Sequence, residues 1–268
     1  MELDKIDLNA LKATLKKFPL IEKVYFFDEI DSTNDKAIRL VKFGLQQNSL
    51  LLAEYQTKGR GRFSRVWLSP KSEALLFSII LFPGQPEDKW QLLTLLTSIT
   101  VAECLEKLSV HPVIKWPNDA LVNNGKISGI LTEISHPQNT LKKSGVAIGV
   151  GININQSQFN QVKSKSPKPT SLFLETGKIF KRIEILERFL ILFSKHYKDF
   201  ESGNFHKILE SWKKLSSTIG KGVKLETTYG ELFGTATGIE EDGGLLVRLD
   251  SGIVKKITAA DVVEIDWK

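Results

Sequence analysis

An α+β fold with a mixed sheet, followed by a small β-barrel, is what this 268-residue sequence predicts. Three observations carry that expectation. Strand-like and helix-like runs before residue 216 follow one another without regular β-α-β alternation, and some strands are joined by hairpin turns, which favours helices packed on a mixed sheet. From Gly220 onward, short strands and turn residues replace helices altogether. No G-x-G-x-x-G string follows a strand and no Walker A string occurs, so the usual dinucleotide-binding and P-loop sheets are excluded.

At the N-terminus, Leu8, Leu11, Leu15 and Phe18 share one helical face, with lysines elsewhere. Residues 24–30 are β-branched and aromatic and read as a strand. That strand runs into Asp31-Ser32-Thr33-Asn34-Asp35, a helix start followed by Ala37, Ile38 and Val41, with Gly44 as the stop. Strands are expected at 50–55 and 74–82. A long helix at 90–108 carries Leu92, Leu95, Leu96, Ile99, Ala102 and Leu105 as its buried stripe. Short strands at 113–116 and 120–122 lead to a turn at Asn123-Asn124-Gly125, then strands at 126–135 and 144–154. A polar connection fills 156–170, and helices follow at 182–201 and 205–215. The tail predicts five strands, 223–228, 231–238, 244–249, 253–258 and 262–266, punctuated by Tyr229-Gly230, Asp242-Gly243-Gly244 and Asp250-Ser251-Gly252. That pattern fits a barrel of SH3-like size.

Composition narrows the class. Hydrophobic residues make up 41% and charged residues 25%, enough for a sizeable core and too apolar for a disordered chain. The one cysteine, Cys104, precludes an intramolecular disulfide, and the four scattered histidines show no metal-ligand spacing, so no protein metal site is expected. No signal-peptide core is present, and no apolar run approaches the ~20 residues of a membrane span. The expectation is a soluble cytoplasmic protein without membrane contact. The net charge of +6 is spread along the chain, and it fits nucleic acid, an acidic protein or a nucleotide equally well.

Four segments carry chemistry. Ser32, Thr33 and Asn34 offer hydroxyl, amide and backbone donors at a helix start, which suit a neutral polar ligand as well as a plain helix cap. In Glu54-Tyr55-Gln56-Thr57-Lys58-Gly59-Arg60-Gly61-Arg62-Phe63-Ser64-Arg65-Val66-Trp67, three guanidinium groups alternate with glycines. Arginine forks match carboxylate and phosphate oxygens, and glycine lets a loop approach a ligand closely. Gln56 adds an amide, and Trp67 a flat face to back a ring. Lys115-Trp116-Pro117-Asn118-Asp119 places a cation, an amide and a carboxylate about a rigid turn, although an Asx turn would read the same. The fourth segment runs from Gly125-Lys126 through Gly129-Ile130-Leu131 to Glu133, with Gly149-Val150-Gly151-Ile152-Asn153 downstream. Glycine inside a strand marks close approach of a ligand or another group.

These motifs, STN, EYQ-x-x-GRGR-x-x-R-x-W, KWPND, GK-x-x-GIL-x-E and G-x-G-I-N, resemble the biotin protein ligase family in order and spacing over about residues 24–176, and the small C-terminal barrel extends the likeness. The resemblance implies a catalytic domain related to the core of class II aminoacyl-tRNA synthetases over 1–218 and an SH3-like β domain over 219–268. It implies that biotin and Mg2+-bound ATP give biotinyl-5′-AMP, and that a specific lysine of the biotin carboxyl carrier protein of acetyl-CoA carboxylase then attacks it. By position, biotin contacts fall to Ser32, Thr33, Asn34, Gln56, Gly59, Arg60 and Gly61. Arg62 and Arg65 would face phosphate, and Lys126 would contact both the biotin carboxylate and the α-phosphate. Lys115 and Asn118 would help the nucleotide, and Trp67 would lie beside the intermediate. Gly129 is assigned to the ligand-binding set, and Asn153 would meet the adenylate region. Asp119 would orient, or take a proton from, the incoming lysine. Lys126, Arg62 and Asp119 are the expected catalytic set, with no metal held by the protein alone.

Two departures from the family pattern matter. Ser64 stands where many members have glycine. The Ser-Thr-Asn motif begins at residue 32, leaving room for one helix before it, so the monofunctional type without a DNA-binding domain is expected, and no DNA binding. A lipoate or octanoate ligase or transferase is the nearest alternative, disfavoured by the Gly-Arg loop and Lys-Trp-Pro-Asn-Asp. A nucleic-acid module using the arginines on phosphates is the other, and it leaves Gln56, Asn118 and Lys126 unexplained.

Overall fold

The computed structural model describes residues 4–159, 167–227, 230–258 and 260–265. The expected polar connection at 156–170 falls partly outside them, as do the ends of the first and last tail strands.

A seven-stranded mixed sheet forms the centre. Its strands are β1 (Lys23–Phe27), β2 (Ser49–Ala53), β3 (Ala74–Leu81), β4 (Val113–Lys115), β5 (Asp119–Val122), β6 (Gly125–Ser135) and β7 (Gly145–Asn153). Their order is β1-β2-β3-β7-β6-β5-β4. Only β1 and β2 run parallel; every other neighbouring pair is antiparallel. β3 and β7 sit in the middle, and β3 is buried along its whole length, which explains why it reads as an unbroken apolar run.

The two faces of the sheet are used differently. Alternate residues Leu50, Leu52, Leu75, Phe77, Ile79, Ile148, Val150 and Ile152 belong to the large core. Helices α1 (Leu8–Leu15), α3 (Leu92–Glu106), α5 (Arg182–Glu201) and α6 (Phe205–Leu215) build that core. Along α5, Phe189, Phe193, Tyr197 and Phe200 stack in succession. The opposite face carries a separate small cluster, Leu51, Ile80 and Ala147 against Ala37 and Val41 of helix α2 (Thr33–Lys42). α2 covers only part of that face. The uncovered part, over the glycines of β6 and β7, is where the cleft lies.

Some expectations shift in detail. The first strand ends at Phe27 rather than 30, and Ile30 makes only an isolated parallel bridge to Gln56. The long helix was expected to bury one stripe, but it buries residues all round, because it lies between the sheet and α5 and α6. Its inner hydroxyls are satisfied within the helix: Thr97, Ser98 and Thr100 donate to the carbonyls of Leu93, Leu95 and Leu96. A short helix, α4 (Leu172–Thr176), was not anticipated; Ser171 caps its N-terminus and Gly177 ends it at φ +69°. Cys104 is fully buried in α3, and burial pushes its thiol up to about 12.

The tail forms a second, five-stranded antiparallel sheet. Its strands are β8 (Gly222–Thr227), β9 (Gly230–Ile239), β10 (Leu245–Leu249), β11 (Val254–Ile257) and β12 (Asp261–Ile265), in the order β11-β10-β9-β8-β12. All five expected strands are there. The turn after β9 packs on the first body: Gly243 lies against Leu92 and Leu95, and the Trp116 indole N–H donates to the Gly243 carbonyl at 3.1 Å. No helix among the described residues is long and apolar enough to cross a membrane.

Candidate active site

One cleft of about 1120 Å3 gathers the four chemistry-bearing segments. Its walls are the N-terminus of α2, the Gly-Arg loop, the turn between β4 and β5, and the start of β6; Gly129, Gly149 and Gly151 form its floor. Glu226, Ala260 and Val262 of the second sheet close one side.

At one end stand neutral polar groups. Ser32 caps α2, its Oγ accepting from the Asp35 N–H at 3.2 Å. Ser32→Ala is expected to lower stability by about 1 kcal/mol through the lost cap, measured as a shift in the denaturation midpoint. The Thr33 N–H and hydroxyl both donate to Gln56 Oε1, at 2.7 and 3.0 Å, and the Ser78 hydroxyl donates to Thr33 Oγ1 at 2.8 Å. These bonds fix the Gln56 amide with its nitrogen turned away from Thr33. Just outside, burial works to raise the Asp31 carboxyl, but the Ser32 N–H and Arg39 outweigh it and hold the group below the usual carboxylate range.

The Gly-Arg loop is a small folded strap. Trp67 N–H donates to Gly59 O, Gly61 N–H to Arg65 O, and Arg60 bridges Val66 antiparallel. Phe63 at its tip takes φ +52°, so the left-handed residue is the neighbour of Ser64 and not Ser64 itself. Gly59 is explained by packing: a Cβ there would sit 2.4 Å from the Trp67 carbonyl oxygen. It lies behind the strap, whereas Arg60, Gly61, Arg62, Arg65 and Trp67 line the cleft. Arg60 is engaged by two carboxylates, Asp35 at 2.6 Å and Glu133 at 2.7 Å, so it belongs to the wall. Arg62 reaches the second sheet, where its Nη1 approaches the Ala260 carbonyl at 3.5 Å.

At the other end sit cations. Lys126 Nζ is 2.7 Å from Asp119 Oδ1 and 5.7 Å from the centre of the Trp67 ring. Lys115 is nearly buried beside them. The glycine floor is accounted for by the indole. Gly129 and Gly151 face each other across β6 and β7, and a Cβ at either would stand 3.0 or 2.6 Å from Trp67. A Cβ at Gly149 would stand 2.9 Å from Asn34 Oδ1. The close approach read from the sequence is thus to two wall side chains. Asn118 and Asn153 line the cleft, but each holds the backbone in place: Asn118 Nδ2 donates to Ile130 O at 2.6 Å, and Asn153 Nδ2 to Thr170 O at 2.9 Å.

A family model described as the Biotin/lipoate A/B protein ligase family matches residues 26–153, and one described as the Biotin protein ligase C terminal domain matches residues 218–263. The Bifunctional ligase/repressor BirA of Bacillus subtilis is 33% identical over 259 residues, covering 96% of this chain and 79% of that one. The chain belongs to the biotin protein ligase family. The Biotin--[acetyl-CoA-carboxylase] ligase of Paracoccus denitrificans is 30% identical over 236 residues, 87% of this chain and 96% of that one. Among solved structures, the biotin protein ligase from Aquifex aeolicus in complex with biotin and ATP is 31% identical with a TM-score of 0.77, covering 91% of this chain and 99% of that one.

Several groups of this biotin protein ligase family member escaped the sequence. Glu133 ends a motif quoted for its glycines, yet it anchors both Asn34 and Arg60. Asp35 reads as a helix-start acid and turns out to hold the strap. Glu226, Ala260 and Val262 reach the cleft from the second sheet, and nothing in their local sequence marks them.

Proposed function

We propose that the protein is an ATP-dependent ligase that activates biotin as biotinyl-5′-AMP and transfers it to a specific lysine of a biotin carboxyl carrier protein of acetyl-CoA carboxylase. The observation that carries this reading is the polarity of this cleft: a neutral amide-and-hydroxyl end at Ser32, Thr33, Asn34 and Gln56, and a cationic end at Lys115 and Lys126. Biotin has the matching polarity, with a neutral ureido ring at one end and a carboxylate at the other. The names of the matched relatives and the biotin and ATP in the Aquifex complex support the same assignment. The division into a catalytic domain over 1–218 and a small β domain over 219–268 goes with it, supported by the second family match beginning at residue 218. So does a cytoplasmic location.

In the first step a biotin carboxylate oxygen attacks the α-phosphorus, and the bond to the pyrophosphate oxygen breaks. Two anions must meet, so fixed cations at the reacting atoms lower the barrier by positioning and electrostatic stabilisation. In this reading Lys126 supplies such a cation, with Arg62 and Arg65 as phosphate contacts. Mg2+ enters with the nucleotide as part of the substrate. In the second step the carrier lysine attacks the acyl carbon and AMP leaves. Asp119, beside Lys126, orients the amine or takes its proton.

Formation of biotinyl-AMP and pyrophosphate from biotin and Mg2+-ATP tests the reading, with lipoate as the comparison acid. Adenylation of lipoate in preference to biotin would overturn it. Arg62→Gly is expected to speed escape of the bound adenylate about tenfold, the factor for losing roughly 1.4 kcal/mol of contact. Trapping of released biotinyl-AMP measures this, and unchanged retention would remove Arg62 from the groups that hold the adenylate.

A further inference from the structure

We propose that Glu133 is a positioning residue that sets the direction of the Asn34 amide, and thereby makes the neutral end of the cleft select a ligand bearing an N–H donor. The inference rests on the biotin reading and deepens it. Asn34 is 4% exposed and lines the cleft. An Asn amide could present either its oxygen or its nitrogen to a ligand, and the choice lies with its neighbours. Glu133 Oε2 accepts from Asn34 Nδ2 at 2.6 Å. A carboxylate only accepts, so the nitrogen must face Glu133 and the oxygen must face away from it. That oxygen is buried over Gly149 and has no hydrogen-bond partner among the described residues. A buried acceptor without a donor is costly and calls for an explanation. A ureido N–H supplies the missing donor; a dithiolane ring, which has none, leaves the oxygen unpaired.

Glu133 does not stand alone. The same Oε2 takes the Arg60 guanidinium at 2.7 Å, and Arg60 in turn meets Asp35 at 2.6 Å. The carboxylate is therefore held from β6 between Arg60 of the strap and Asn34 of α2.

The test is steady-state biotin-dependent pyrophosphate exchange by the full chain with Glu133→Gln, Glu133→Ala and Asp35→Asn. Glutamine keeps the shape but can offer N–H as well as C=O, so it no longer dictates the amide direction. The expected result for both Glu133 variants is a KM for biotin raised about tenfold, the effect of one unsatisfied buried acceptor. The kcat and the KM for ATP are expected to stay within about twofold, since neither depends on this hydrogen bond. Asp35→Asn loosens Arg60 without touching the Asn34 amide and should raise the KM for biotin by less than the Glu133 variants do. A wild-type chain without biotin-dependent exchange would overturn the biotin reading itself. An active wild type whose Glu133→Gln variant keeps its KM for biotin overturns the Glu133 proposal alone. An equal rise in Asp35→Asn also overturns it, because the effect would then run through Arg60. Should Glu133→Ala not fold, the isosteric variant carries the test.

Discussion

Lys126→Ala is expected to lower biotin-dependent ATP–pyrophosphate exchange by about 10²- to 10³-fold, the usual effect of deleting one preorganised group at a developing charge. At the cationic end the Lys126 ammonium stands 2.7 Å from Asp119 and over the Trp67 ring. Its setting keeps the ammonium aimed inward: the stem starts on β6, and the indole walls off the floor. Removing it leaves Lys115 and the arginines to offset the repulsion between the attacking carboxylate and the phosphate, without a cation at the reacting atoms. The effect should appear in kcat and kcat/KM together, because the contact strengthens as charge builds on phosphate. Fold should be retained, since the lysine lies in an open cleft. Exchange at near-normal rate by a well-folded variant would take Lys126 out of the chemistry.

Arg182→Ala is expected to cost about 3–5 kcal/mol of stability, through the loss of a partner from a buried ion pair. Arg182 and Glu54 are both fully buried, 2.7 Å apart. The guanidinium also donates to the Ala74 carbonyl at 3.1 Å and to Asp4. Glu54 accepts from the Ile6 N–H at 2.8 Å and the Ser72 hydroxyl at 2.7 Å. One knot thus ties the chain start, the end of β2, the start of β3 and the first turn of α5. Without Arg182, Glu54 would be a buried charge lacking its counter-ion. Chemical denaturation measures the loss. The double variant Arg182→Met/Glu54→Leu should recover part of it, because no buried charge then remains. The knot bears on function because Glu54 directly precedes Tyr55, Gln56 and the Gly-Arg strap. A loosened Glu54 should therefore weaken biotin binding as well as the fold.

What the sequence shows and what it hides divides along contact distance. Strand β3, helix α2 with its Ser32 cap, and the five tail strands follow from local periodicity and turn residues, because those features act within a few residues. The cleft residues were found because chemistry of the same kind clusters within short motifs. Arg182 and Glu54 are 128 positions apart, so nothing local to either, not even the motif that Glu54 opens, names the other as its partner. Glu133 lies 99 positions from Asn34, so the amide it holds is invisible from its own strand. The glycines of β6 and β7 announced a close approach but not its partner; the indole of Trp67 and the amide of Asn34 arrive from elsewhere in the chain. All-round burial of α3 follows from helices α5 and α6 packing over its outer side, a tertiary event that no helical stripe encodes.

Transfer of biotin to a carrier lysine is read out by intact-mass analysis of a biotin carboxyl carrier domain incubated with the protein, biotin and Mg2+-ATP. One added biotinyl group is expected, located by peptide mapping on a single lysine, and none when biotin or ATP is omitted. A carrier that stays unmodified while biotinyl-AMP accumulates, or one acylated only from lipoate or octanoate, would contradict it.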